Sequence, residues 1–200
     1  MAWLALAIIV VWLGVVGVGR AVIHARAGDG PALRFGDAVG SAQWWARLLG
    51  TVGFVFLILA PIADLAGLPP LPMMDWLPLR LAGAGIALAG ILGAAHAQAA
   101  LGASWRGDVD PDARTALVTS GPYRWVRNPI FTWTAVTVIG IGLLVPNLVA
   151  LAMVVASLAS HQVLVRCVEE PYLRRVHGER YRAYAARTGR FLPGIGRERS

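Results

Sequence analysis

The 200-residue chain is 57% hydrophobic and only 14% charged, where a soluble domain carries roughly 25% charged residues. With a mean hydropathy of +0.62, this excludes a disordered chain, a collagen-like repeat, a disulfide scaffold and an ordinary soluble enzyme. What remains is a polytopic membrane protein, one domain by length. The net charge is +7, from 18 basic residues against 11 acidic ones, and every basic residue is arginine. The arginines flank apolar runs, so they are read against the membrane and no nucleic-acid partner is expected. The single cysteine, Cys167, cannot form an internal disulfide.

Charge-free runs place the spans in chain order. Met1–Gly19 is uncharged and ends at Arg20. It resembles a signal-peptide core, but no basic residue precedes it and no clean small-residue cleavage site follows, so it is read as a span. Leu48–Ala63 follows Trp44 and Trp45, which suit an interface belt. Leu81–Trp105 follows Arg80. Asn128–Val165 is uncharged for 38 residues, enough for two helices at ~20 residues each, and Pro146-Asn147 offers a tight turn near its middle. The expectation is five transmembrane helices at roughly 2–22, 44–66, 79–101, 129–145 and 147–168, with helices four and five forming a hairpin.

The arginines orient this arrangement. Arg20, Arg26, Arg34 and Arg47 lie around the first loop, Arg106, Arg114, Arg124 and Arg127 between spans three and four, and nine more from Arg166 to Arg199 follow span five. Five spans put all of these on one side and leave only Arg80 on the other. By the positive-inside rule the C-terminus is cytoplasmic and the N-terminus outside, in an inner or cell membrane of the bacterial kind. No internal repeat suggests a transporter, and no His, Cys or carboxylate spacing suggests a metal. His96 and His161 lie in or near spans. An intramembrane histidine is a functional candidate, or is simply hydrogen-bonded to a neighbouring helix.

Three polar clusters gather at the cytoplasmic mouth. The first is Leu117-Val118-Thr119-Ser120-Gly121-Pro122-Tyr123, followed by Arg127-Asn128-Pro129-Ile130-Phe131. Pro129 suits the first position of a helix, Asn128 is a good N-cap, and a helix N-terminus favours an anionic group. The second is Arg166 with Glu169-Glu170 after span five. Adjacent carboxylates at a membrane exit need solvent or partners. An antiparallel pair of helices would return them to the side of Arg127. The third, Val176–Tyr184, reads as a short polar, aromatic helical segment that either covers the mouth or lies on the surface.

At these residues the chain resembles the isoprenylcysteine carboxyl methyltransferase family and its phospholipid methyltransferase relatives. Their pattern is Leu-Val-Thr-Ser-Gly-x-Tyr, then Arg-His-Pro-x-Tyr, a helical hairpin, Glu-Glu, and Gly-x-x-Tyr-x-x-Tyr. Leu117–Tyr123, Arg127–Phe131, Glu169-Glu170 and Gly178–Tyr184 follow it in order, over roughly residues 90–193. Asn128 stands where the pattern has His, and Phe131 where it has Tyr.

The resemblance implies an all-α integral membrane enzyme. Residues 1–78 would form two N-terminal spans and 79–200 a methyltransferase-like region with a cytoplasmic C-terminal helical segment. It would bind S-adenosylmethionine through Thr115, Ala116, Leu117, Val118, Tyr123, Asn128, Pro129, Ile130, Phe131 and Glu169. Arg127, Glu169 and Glu170 are implied to matter for catalysis, and Arg166 and Arg127 to bind a small or lipophilic acceptor. That acceptor would enter from the bilayer, with a carboxylate, amine or thiol as nucleophile. Two other readings stand beside it. One is an NADPH-dependent reductase like the membrane sterol reductases, whose terminal Tyr-x-x-Tyr and Phe-x-Pro match Tyr181–Tyr184 and Phe191–Pro193. The other is a non-enzymatic membrane binding protein.

Overall fold

A computed structural model describes residues 1–18, 37–101 and 117–198. Helix α1 runs Ala2–Trp12 and widens into a π-helical stretch, Leu13–Val18; α2 runs Ala42–Leu65, α3 Leu77–Leu101, α4 Pro129–Leu144, α5 Leu148–Leu164 and α6 Glu170–Arg187. A 3-10 turn, Gly121–Arg124, precedes α4, and a π-helical turn, Val165–Glu169, joins α5 to α6 without a break. The described residues form no strand, only isolated bridges pairing Val126 with Gly189 and Leu192 with Ile195. The architecture is all-helical.

Among the described residues, three helices are long and apolar enough to cross a membrane: α2, α3 and the continuous helix from Leu148 to Arg187. Ala2–Val18 and α4 are apolar but shorter. The 16 residues of α4 rise about 24 Å, short of the ~30 Å hydrocarbon core. Pro129 fixes its start, and Pro146 follows its end. The bundle exposes apolar side chains outward, among them Trp3, Val10, Leu92 and Leu148, which suits lipid rather than water.

Lipid tails are as apolar as leucine, so helices in a membrane associate through close packing of small residues and polar contacts between helices. The sequence shows this directly. Gly83, Ala87, Gly90 and Ala94 form one buried stripe on α3. A Cβ added at Gly90 would lie 2.6 Å from the Thr137 nitrogen and 2.8 Å from the Trp133 carbonyl oxygen of α4, and one at Gly83 would meet the Gly140 carbonyl oxygen at 2.7 Å. Gly53 and Gly50 of α2 face Ser157 and Ser160 of α5 in the same way, and the Ser160 hydroxyl donates to the Ala46 carbonyl at 2.7 Å. The most extensive contacts are therefore α3 on α4 and α2 on α5, with a smaller contact between α4 and α5 themselves. Gly90→Ala is expected to destabilise the protein in detergent by about 1–3 kcal/mol through overpacking. Gly85→Ala, where a Cβ meets nothing within 4 Å, serves as the control. Equal thermal midpoints for the two variants would contradict this packing.

Turn chemistry closes the far end of the bundle. Asn147 caps α5 by accepting from the Ala150 N–H at 2.9 Å and donates from Nδ2 to the Ala60 carbonyl at 2.8 Å. Arg80 pairs with Asp75 at 3.0 Å there. At the near end the C-terminal segment is not a separate surface helix. It continues α5 through the π turn and breaks only at Gly178, whose φ of +52 lies in the left-handed region that glycine tolerates.

Candidate functional site

The entrance to α4 is tied to the C-terminal residues by main-chain hydrogen bonds. The Arg127 N–H donates to the Gly189 carbonyl at 2.8 Å and the Asn128 N–H to the Arg190 carbonyl at 3.1 Å. Asn128 does not cap α4 with its side chain. Its Nδ2 donates to the Arg190 carbonyl instead, at 3.1 Å. The capping expectation fails because the adjacent chain offers a main-chain acceptor. Thr132, one turn on, donates to the carbonyls of Asn128 at 3.0 Å and Phe191 at 2.8 Å.

The Arg127 side chain is buried at the centre of this junction. Its Nε and Nη2 donate to Glu170 Oε1 at 3.2 and 2.7 Å. Nη1 donates to the carbonyls of Ala185 at 3.0 Å and Thr188 at 2.6 Å, and Nη2 also to that of Gly196 at 3.1 Å. A guanidinium has five N–H donors, and the protein itself engages all of them. Glu170 is equally committed. Arg190 donates to both its oxygens at 2.8 and 2.9 Å, and Arg174 to Oε2 at 3.3 Å. Arg174 in turn holds Glu198 at 2.5 Å. Burial alone would raise the Glu170 pKa, but the hydrogen bonds from Arg190 and Arg127 outweigh it and hold the carboxyl below its usual range.

Glu169 is different. It is half-buried and makes no hydrogen bond or ion pair among the described residues. Burial, with the neighbouring Glu170 carboxylate, pushes it up to about 7. Its charge also raises the pKa of buried Tyr123, after burial itself. Tyr123 donates to the Ala97 carbonyl at 3.5 Å, and its own carbonyl accepts from the Tyr184 hydroxyl at 2.6 Å. Tyr181 is buried with its hydroxyl unpartnered, in an apolar cluster with Tyr184 and Ala185 against which Leu117 packs.

The structure thus brings Arg127 and Glu170 into contact and sets Asn128, Pro129 and Tyr123 in the same buried junction. Ile130, Val118 and Phe131 are half-buried, and the Phe131 ring lies 5.0 Å from that of His161 on α5. Arg166 is not part of the cluster. It is exposed, with Nε donating to Gln162 one turn back at 2.7 Å. Thr115 and Ala116 lie outside the described residues. Sequence reading missed Arg174, Arg190, Glu198 and Thr132. Glu170 and Arg174 carried a legible signal, four apart on one helix. Arg190 and Glu198 did not, because they reach the site from irregular chain.

The donor set fits S-adenosylmethionine. An unpaired, half-buried carboxylate matches a cationic group, and the first turn of α4, uncapped by Asn128, matches an anionic one.

Residues 79–180 match the phospholipid methyltransferase family. No curated protein gives a match. Among solved structures, the chain is similar to the eukaryotic intramembrane Ras methyltransferase ICMT, an isoprenylcysteine carboxyl methyltransferase, with a TM-score of 0.55 and 21% identity over 82% of this chain and 56% of that one. The chain therefore spans little more than half the length of that protein, and the likeness is one of fold. With just over half its length matched, this integral membrane protein belongs to the phospholipid methyltransferase family.

Proposed function

We propose that the protein transfers a methyl group from S-adenosylmethionine to a small or lipophilic acceptor at the cytoplasmic face of the membrane. The observation that carries this reading is the unpaired Glu169 carboxylate beside the α4 entrance, in a junction whose other charges are satisfied internally. When bound, the cofactor supplies an activated sulfonium methyl. The chain has to hold and orient its partners, and proximity accounts for much of the rate in such a displacement. Glu169 takes the cationic part. The first turn of α4, from Asn128 to Phe131, takes the anionic part, and Leu117, Val118 and Tyr123 line the near wall, with Thr115 and Ala116 continuing it. Arg127 and Glu170 are positioning residues that clamp the C-terminal segment over this wall. Arg166, exposed at the helix exit, would take an acidic group of the acceptor at the membrane surface by giving up its bond to Gln162. Five spans, with the C-terminus cytoplasmic, put all of these on the arginine-rich side.

The test is a titration of purified protein in detergent. Saturable binding of S-adenosylmethionine, with none of NADPH, is the expected result. The reverse would support the reductase reading. Binding without transfer to any thiol, amine or carboxylate acceptor would support a binding protein.

A further inference from the structure

Tyr184 belongs to two parts of the site at once. Its main chain lies in the clamp. Its own carbonyl accepts from the Thr188 N–H at 3.0 Å, and the next one, Ala185, accepts from the Glu198 N–H at 3.1 Å and from Arg127 Nη1 at 3.0 Å. Its side chain reaches the near wall, where the hydroxyl donates to the Tyr123 carbonyl at 2.6 Å. The 3-10 turn that carries Tyr123 closes on the carbonyls of Ser120 and Pro122, so Tyr184 holds that turn through a different acceptor. Tyr123 then meets α3 at the Ala97 carbonyl, 3.5 Å from its hydroxyl, and Glu169 is near enough for its charge to act on that hydroxyl. Tyr181, three residues earlier on α6, supplies the contrast. It shares the apolar cluster, with its ring 6.3 Å from that of Tyr184, and is as deeply buried, yet its hydroxyl has no partner. The two rings pack alike, and only the hydroxyl of Tyr184 ties the clamp to the wall.

We propose that Tyr184 is a positioning residue for the cofactor: its hydroxyl carries the position of the clamp to Tyr123 and so sets the near wall against Glu169. The inference rests on the methyl-transfer reading and adds a residue to that same site. Tyr184 acts through Tyr123 and not by touching the cofactor. A wall already held in place spares the cofactor the cost of ordering it on binding. Without the hydroxyl, the Tyr123 carbonyl loses its donor in a buried place, and the wall relaxes while the arginine–glutamate clamp keeps its own bonds. Loss of the Tyr184 hydroxyl therefore weakens cofactor binding and leaves the clamp closed. Loss of the Tyr181 hydroxyl breaks no bond and leaves both unchanged.

The experiment titrates S-adenosylmethionine into the wild type, Tyr184→Phe and Tyr181→Phe in detergent and follows amide exchange at Arg127 and Asn128. Tyr184→Phe is expected to raise the Kd about five- to tenfold, the scale of one neutral hydrogen bond, with exchange at both amides as in the wild type. Tyr181→Phe should bind within about twofold of the wild type. Replacing Tyr184 by 4-aminophenylalanine, which keeps a donor at the same place, should restore most of the lost affinity. A readout that needs no variant is the wild type labelled with 3-fluorotyrosine, in which the 19F signals of Tyr123 and Tyr184 should shift together as S-adenosylmethionine saturates the protein. Binding by Tyr184→Phe within about twofold of the wild type, an equal loss in Tyr181→Phe, or a loss accompanied by faster exchange at Arg127 and Asn128 would each overturn the proposal. So would an amine replacement that restores nothing, or a Tyr184 signal that stays in place at saturation. Failure of the wild type to bind S-adenosylmethionine at all would overturn the methyl-transfer reading instead.

Discussion

Arg127→Ala is expected to abolish methyl transfer and to release the C-terminal segment from the α4 entrance, while Glu170→Ala is expected to do the same at a greater cost in stability. Both side chains are 2% exposed, and removing one partner of a buried ion pair typically costs about 3–5 kcal/mol. The two losses are not equivalent. Without Arg127, three carbonyls lose their donors, but Glu170 keeps Arg190 and Arg174. Without Glu170, the three arginines Arg127, Arg174 and Arg190 share one carboxylate, Glu198, and like charges are left facing one another in a half-dry junction. Arg127→Lys should rescue little, because an ammonium has three donors and no planar fork to reach Glu170, Ala185, Thr188 and Gly196 together. The measurement is amide hydrogen exchange at Arg127 and Asn128, whose N–H groups bond across the junction to the carbonyls of Gly189 and Arg190. Retained protection in Arg127→Ala would mean that the guanidinium does not hold the segment, and the clamp would have to be abandoned.

The clamp explains why the site was only partly legible in the sequence. Helices α1 to α5 were readable because each carries a long charge-free run, whereas α6 is densely charged and shows only as a polar, aromatic segment. Arg127, Glu169 and Glu170 were readable because helix ends and adjacent carboxylates at a membrane exit demand partners. Which partner each has was not readable. Glu169 and Glu170 are neighbours in sequence, yet the π turn at Val165–Glu169 leaves Glu170 buried among three guanidiniums and Glu169 with none. Nothing in the local sequence separates them. The carbonyls of Ala185, Thr188 and Gly196 carry no side-chain signature at all, and Arg190 and Glu198 arrive through tight turns at Gly194 and Gly196, both at positive φ. Packing was legible after the fact in the small residues of α3. The choice of α4 rather than another helix as their partner depends on the facing Thr137 and Gly140, a match between two surfaces that no single segment records.

The same division of labour predicts how pH governs cofactor binding. Glu169 is pushed up to about 7, so near neutrality it is divided between its two forms, and only the ionised form attracts a cation. If binding requires that form, the apparent Kd should be about 11-fold weaker than its limit at pH 6, about 2-fold weaker at pH 7 and near the limit at pH 8. Stability of the free protein runs the other way. A carboxyl whose folded pKa is raised gives up its proton first in the unfolded chain, so its contribution falls as pH rises from the ordinary carboxylate range through about 7, where the folded form also ionises. Bound cofactor should remove that fall, because it stabilises the ionised carboxylate. Glu169→Gln should flatten both curves and weaken binding at pH 8 by one to two orders of magnitude, as for a lost charge-assisted hydrogen bond of about 1.5–3 kcal/mol. Glu170 cannot produce this signature, because its arginine partners keep it ionised throughout the window. Calorimetric titration of both proteins at pH 6, 7 and 8 decides the matter: a Kd that does not change with pH in the wild type, or one that still changes in Glu169→Gln, assigns the cation site elsewhere.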